Sequence, residues 1–193
     1  TERTLVNYPV YGVTTVGNRA YTTTALRAWN ILDRAGRLPT RIAWSHEMAF
    51  IMAPPGFYQN YGDILGHGTD HLWNIGVGRE GVDVGTFFAL CSEFPRGNPE
   101  FNAWFLESRF MQRACYLPLA NADSKHNSDL RQVFVEAISS GHRLANIHGT
   151  ADATIDAMFG LIEEGRKQGG LTLDDIREKK YTLEHLVLVR RDQ

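Results

Sequence analysis

Short apolar, β-branched runs that each give way to a helical period constrain this chain most, because that alternation builds βα units and a parallel sheet. Gly12-Val13-Thr14-Thr15-Val16 is the first run. Ala25 to Ala35 follows with Leu26, Trp29 and Leu32 near one helical face, and Gly36 ends it. Pro39 to Trp44 reads as a second strand and Leu72 to Val77 as a third. Asp129 to Ser140 places Leu130, Val133, Phe134, Ala137 and Ile138 on one stripe, and Arg143 to His148 is then a strand ending in a histidine. Thr154 to Gln168 is a further helix, with Ile155, Met158, Phe159 and Ile162 as its stripe, and Lys180 to His185 is a strand that also ends in a histidine. The fold class is α/β, read as a partial (β/α)8 barrel with parallel strands and a long inserted loop. Residues 1–193 form part of a single barrel domain, and 51–128 contains irregular loop insertions. Ile51 to about Asp70, rich in Pro, Gly, Tyr and Phe, is either a substrate lid or a surface insertion packed on its own aromatics.

Composition removes several function classes. Twenty basic and 22 acidic residues leave a net charge of −2 with no basic stripe, which argues against nucleic acid. No run approaches the roughly 18 to 20 apolar residues that span a bilayer, so no membrane partner is expected. Cys91 and Cys115 lack a C-x-x-C spacing, so a zinc ribbon or disulfide framework is not indicated. The compartment stays open, with the cytoplasm favoured.

Barrel catalytic groups project from the C-terminal strand ends, so consecutive units closing on His148 and His185 put two imidazoles at one rim, where they can share an ion. A catalytic site of this kind keeps three or four protein ligands and one position for water. His46, after the second of these strands, faces the same rim as a candidate substrate contact. His67 and His71 are spaced i, i+4, but Gly66 and Gly68 argue against a helix there, and His126 and His142 read as solvated.

Four stretches carry a resemblance. Ala145-Asn-Ile-His148-Gly-Thr-Ala-Asp152 and the helix after it are similar to the fifth-strand motif of the amidohydrolase superfamily, in the branch of D-aminoacylases and N-substituted formamide deformylases, with Ala151 in place of a glycine. Tyr181-Thr-Leu-Glu184-His185 resembles that branch's sixth strand, Tyr11 to Val16 its second, and Gly36 to Ile42 the approach to its third. The resemblance implies a metal-dependent hydrolase of carbon–nitrogen, non-peptide amide-type bonds acting through a metal-activated water, with a small amide-type molecule as substrate. His148 and His185 would be metal ligands for one divalent ion, zinc first, though imidazole also takes iron, nickel or manganese. Asp152 would orient the ligands or fix the loop, and Glu184 would be a barrel-wall group or one touching a ligand. No catalytic residue is assigned. The family's first-strand His-x-His and eighth-strand aspartate have no counterpart, and Gly76-Val77-Gly78 stands where many relatives carry a bridging lysine.

A full barrel takes about 250 residues, so the chain is expected to be the middle of a larger polypeptide, about strands 2 to 6. It would be inactive alone, with the remaining barrel segments or another chain as partner. The alternative is a non-catalytic open-sheet α/β domain binding a ligand or partner at its strand ends.

Overall fold

The computed structural model describes residues 2–48, 56–79, 125–186 and 189–193. Five strands lie in it: β1 (Thr15–Ala20), β2 (Arg41–Glu47), β3 (Leu72–Arg79), β4 (Leu144–Gly149) and β5 (Leu183–His185). They pair in chain order, every neighbouring pair parallel. The sheet curls as a partial barrel: Arg19 on β1 reaches the carbonyl of Asn146 on β4 at 2.6 Å and the carboxylate of Glu184 on β5. The helices are α1 (Glu2–Leu5), α2 (Asn7–Val10), α3 (Thr23–Arg34), α4 (Phe57–Tyr61), α5 (Lys125–Ser139), α6 (Asp152–Gly169) and α7 (Leu173–Lys179). None among the described residues is long and apolar enough to cross a membrane.

Local chemistry explains these boundaries. Thr22 accepts the amide of Ala25 at 3.1 Å to start α3, and Gly36, at φ +64°, closes it with the Arg37 amide on the Leu32 carbonyl. Thr172 and Asp175 form a reciprocal capping box on α7. The expected α5 stripe, Leu130, Val133, Phe134, Ala137 and Ile138, is buried throughout. On α6 the buried line runs through Ile155, Met158, Leu161 and Gly165, while Phe159, assigned to the stripe from sequence, is 51% exposed.

Two apolar clusters fill the space between sheet and helices. One joins Val77, Leu144 and Ile147 to Phe134, Ile138, Met158 and Leu161. The other joins Ile42, Trp44 and Leu72 to Trp29, Leu5 and Leu38. Where α5 meets α6, Gly165 presses on Ile138: a Cβ there would sit 2.6 Å from the Ile138 Cβ.

β3 carries a bulge. Trp44 pairs with Asn74 but Ser45 pairs with Gly76, so Ile75 is extra. Asn74 folds back, accepting the Gly76 amide at 2.8 Å. Gly76 sits at φ +129°, and a Cβ there would lie 2.2 Å from the Arg143 carbonyl oxygen, so the position requires glycine. Arg143 then ties the lower ends together, donating to the carbonyls of Ile75 (2.8 Å), Lys179 (2.9 Å) and Lys180 (3.1 Å).

Four of the five strands run past their expected ends, while β5 ends at His185 as its sequence indicates. β1 was expected over 12–16 and occupies Thr15–Ala20; β2 continues through Ser45, His46 and Glu47; β3 continues to Arg79. These added residues are largely polar because alternate positions face the concave side of the sheet, which holds Arg19, Glu47 and Glu184 rather than an apolar core. Of the 51–128 stretch expected to hold loop insertions, 56–79 and 125–128 are described, and they include α4, β3 and the start of α5. Cys91 and Cys115 lie outside the described residues.

Candidate functional site

The site begins with two βα units. β4 places His148 one residue before its end, and β5 ends on His185. The register sets His148 opposite Glu184 and Gly149 opposite His185, so strict alternation would send His148 and Glu184 to one face and His185 to the other. His185 instead has φ +72° and Leu186 φ +45°. A left-handed backbone costs an L-residue about 1–2 kcal/mol. This turn departs from the strand's alternation just where the two imidazoles meet, their ring centroids 4.5 Å apart with the planes at 63°. The Leu186 amide returns to the Gly149 carbonyl at 3.0 Å and pins the turn.

Below the imidazoles lies a buried set of charges. Arg19 donates Nη1 to the Asn146 carbonyl at 2.6 Å and to Glu184 Oε2, and Nε and Nη2 to the Tyr21 hydroxyl at 3.2 and 2.9 Å. Its Nε is 3.7 Å from Glu47 Oε2, and Glu47 Oε1 meets Arg79 Nη1 at 3.4 Å. Two guanidinium groups and two carboxylates balance. Burial opposes the Arg19 charge, but the bonds to Tyr21 and Glu184 outweigh it and hold its pKa above the ordinary arginine value.

The other candidates lie elsewhere. Asp152 is fully buried in the first turn of α6, four residues beyond His148, and its Oδ2 takes a 3.0 Å bond from Arg190 Nη1. Arg190 also binds Asp156 at 2.8 Å, and Gln193 Nε2 donates to the Asp152 carbonyl at 2.9 Å, so Asp152 ties helix α6 to the C-terminal segment.

The structure places His46 within β2 rather than after it. There it shares the alternation of Ile42 and Trp44 and sits among Phe57, Tyr58 and Tyr61 of α4. Its Nδ1 is 3.1 Å from the Tyr58 hydroxyl. Burial, and then the charge of His142, lower its pKa. The aromatics of the 51–70 stretch that are described therefore pack against the sheet at this point.

His142, expected to be solvated, is 2% exposed. Its Nε2 is 2.9 Å from the Tyr58 carbonyl, an acceptor only, so that nitrogen carries the proton. Its place just after α5, which read as a solvated helix end, is covered by α4. His67 and His71 are exposed on a loop shaped by Gly66 and Gly68, at φ +79° and +139°. The side chain of His126 lies outside the described residues.

The imidazole pair can be tested against a metal by its donor set. With metal–nitrogen bonds of about 2.0–2.1 Å, two imidazoles on one tetrahedral ion hold their ring centroids roughly 5 Å apart, and the 4.5 Å seen here is compatible. Two neutral nitrogens make half of a four-coordinate set. Among the described residues no group of three or more His, Cys, Asp or Glu side chains is arranged to hold an ion. The described residues thus bring two candidate ligands together without a third.

Sequence comparison finds no matching protein-family model and no matching curated protein. Structural comparison finds a likeness to an uncharacterized metal-dependent hydrolase from Pyrococcus horikoshii OT3, at 17% sequence identity and a TM-score of 0.54. The likeness covers 94% of this chain and 35% of that one, so this chain spans about a third of its neighbour's length. At that identity, the likeness establishes a shared fold, the partial α/β barrel.

Proposed function

We propose that this chain contributes two ligands, His148 and His185, to a mononuclear divalent metal centre in an amidohydrolase-type barrel. Zinc is the ion proposed, and the reaction is hydrolysis of a carbon–nitrogen bond in a small amide-type substrate. The observation that carries this reading is the contact of the two imidazoles at the C-terminal ends of adjacent parallel strands, the rim where barrels place their chemistry. The name of the structural neighbour, a metal-dependent hydrolase, agrees with it. When bound, such an ion acidifies a water and polarises a carbonyl. This chain's own Arg19, Glu184, Glu47 and Arg79 form a charge-balanced set on the sheet that carries the imidazoles. The remaining ligands would come from other barrel segments or from another chain. Asp152 fixes the helix that follows His148.

Metal analysis of the native protein tests this, beside the same measurement on a His148→Ala, His185→Ala variant. Near-stoichiometric metal that disappears in the variant is expected, followed by turnover in a screen of N-acyl amino acids, formamides and cyclic imides. A native protein without metal, or a variant that retains it, overturns the reading in favour of an open-sheet binding domain.

A further inference from the structure

We infer that Arg19 is a positioning residue that sets the separation of His148 and His185. One guanidinium grips both histidine-bearing strands close to their imidazoles. Nη1 binds the carbonyl of Asn146, two residues before His148, and the carboxylate of Glu184, one residue before His185. Its other nitrogens are occupied by the Tyr21 hydroxyl. The planar fork of arginine is suited to this span, because its donors point in fixed directions from one rigid group.

Two details make the link specific. Asn146 has φ +58°, a left-handed backbone, and its carbonyl is the one that meets Arg19. His185 follows Glu184 directly and also adopts a positive φ. One strained residue is itself a contact of Arg19 and the other directly follows one, so the guanidinium bears on both places where the strands leave regular geometry. Arg19 is on β1, outside the β4–β5 pair, and its side chain is largely buried, while the Glu184 side chain is 32% exposed. At Gly78 a Cβ would meet the Ala145 carbonyl oxygen and Ser45 Oγ at 2.6 Å and the Arg19 Cγ at 3.2 Å, so the strand beside Arg19 has no room for a side chain there.

The consequence for metal affinity rests on the proposed ligand role of the histidines, whereas the consequence for ring placement does not. The test uses the native protein that carries this chain, with its other barrel segments or partner present, in two measurements. The first is the nuclear Overhauser contact between the ring protons of His148 and His185, in wild type, Arg19→Gln and Glu184→Gln, with backbone spectra as the control for folding. The second is zinc titration of the same proteins. Wild type is expected to show the ring contact. Arg19→Gln is expected to lose it with the folded spectrum retained, and Glu184→Gln to weaken it. Zinc affinity should fall about 10–100-fold in Arg19→Gln, the range seen when a group supporting a ligand is removed. Should Arg19→Gln not fold, the Glu184→Gln result decides. Absence of the ring contact in wild type overturns the inference, as does its persistence at wild-type intensity in the folded variants. A wild type that shows the ring contact but takes no zinc overturns the metal reading alone.

Discussion

Gly160 and Gly165 lie on the same helix, α6, and the same substitution should stabilise at the first site and not at the second. Replacing a helical glycine with alanine stabilises by about 0.5–1 kcal/mol, because the backbone loses less freedom on folding. At Gly160 nothing lies within 4 Å of the added Cβ, so Gly160→Ala should realise that gain. At Gly165 the Cβ would meet the Ile138 Cβ at 2.6 Å, its Cγ2 at 2.7 Å and the Val135 carbonyl oxygen at 3.1 Å. Carbon atoms rest at about 3.5–4.0 Å, so the overlap approaches 1 Å against a helix held by its own cluster. Overpacking of this kind costs about 1–3 kcal/mol. Gly165→Ala should therefore range from near neutral to about 2.5 kcal/mol less stable. The propensity gain is common to both variants, so their difference of about 1–3 kcal/mol measures the α5–α6 contact alone. Urea unfolding of both, followed by circular dichroism, reads it, and thermal midpoints should differ by about 2–4 °C per kcal/mol at this size. Equal stabilisation by the two alanines would refute the close approach of α5 and α6.

Other perturbations probe the α4 junction. Glu136 is buried and accepts the amides of Gly56 at 2.7 Å and Tyr58 at 2.9 Å; Glu136→Ala should cost about 2–4 kcal/mol, with Glu136→Gln between it and wild type in urea midpoint. Burial and the charge of His142 lower the His46 pKa from 6.5, so the unfolded chain binds a proton that the native one refuses. Stability from this group is present above pH 6.5 and is lost as pH falls toward the folded value, at no more than about 1.4 kcal/mol per unit. The groups around it are Tyr58, Tyr61 and His142. His46→Gln should flatten the stability profile between pH 7.5 and 5, and an unchanged slope would assign the effect elsewhere.

Apolar periodicity located the strands and the larger helices because it reports burial against the helices. The α5 stripe is the clearest instance, each of its five residues packing as its spacing indicated. Periodicity is silent on the concave face, where Arg19, Ser45, Glu47 and Arg79 continue strands whose apolar part had already ended. The capping box of Thr172 and Asp175 was present in the sequence as T-x-x-D and marks a helix that apolar spacing alone did not show. The pairing of His148 with His185 was legible from their positions at successive strand ends. The left-handed turn at His185 was not, since no residue type there demands it. Arg19 was equally hidden: its partners are 127 and 165 residues away, and only the curl of the sheet brings them together. His142 misled because its neighbours in sequence are polar while its neighbour in space is Tyr58 of α4.

The clasp of Arg143 on the opposite end of the sheet has a different character from that of Arg19. Its acceptors at Ile75, Lys179 and Lys180 are all main-chain carbonyls. Side chains at those three positions can drift without altering what Arg143 holds, while Arg143 itself, and the glycine at 76 that lets its backbone close in, cannot. Variation among homologous chains should therefore be free at 75 and 179, limited at 180 only by its left-handed φ of +49°, and sparse at 76 and 143, an imprint left by a joint that recognises backbone and ignores identity.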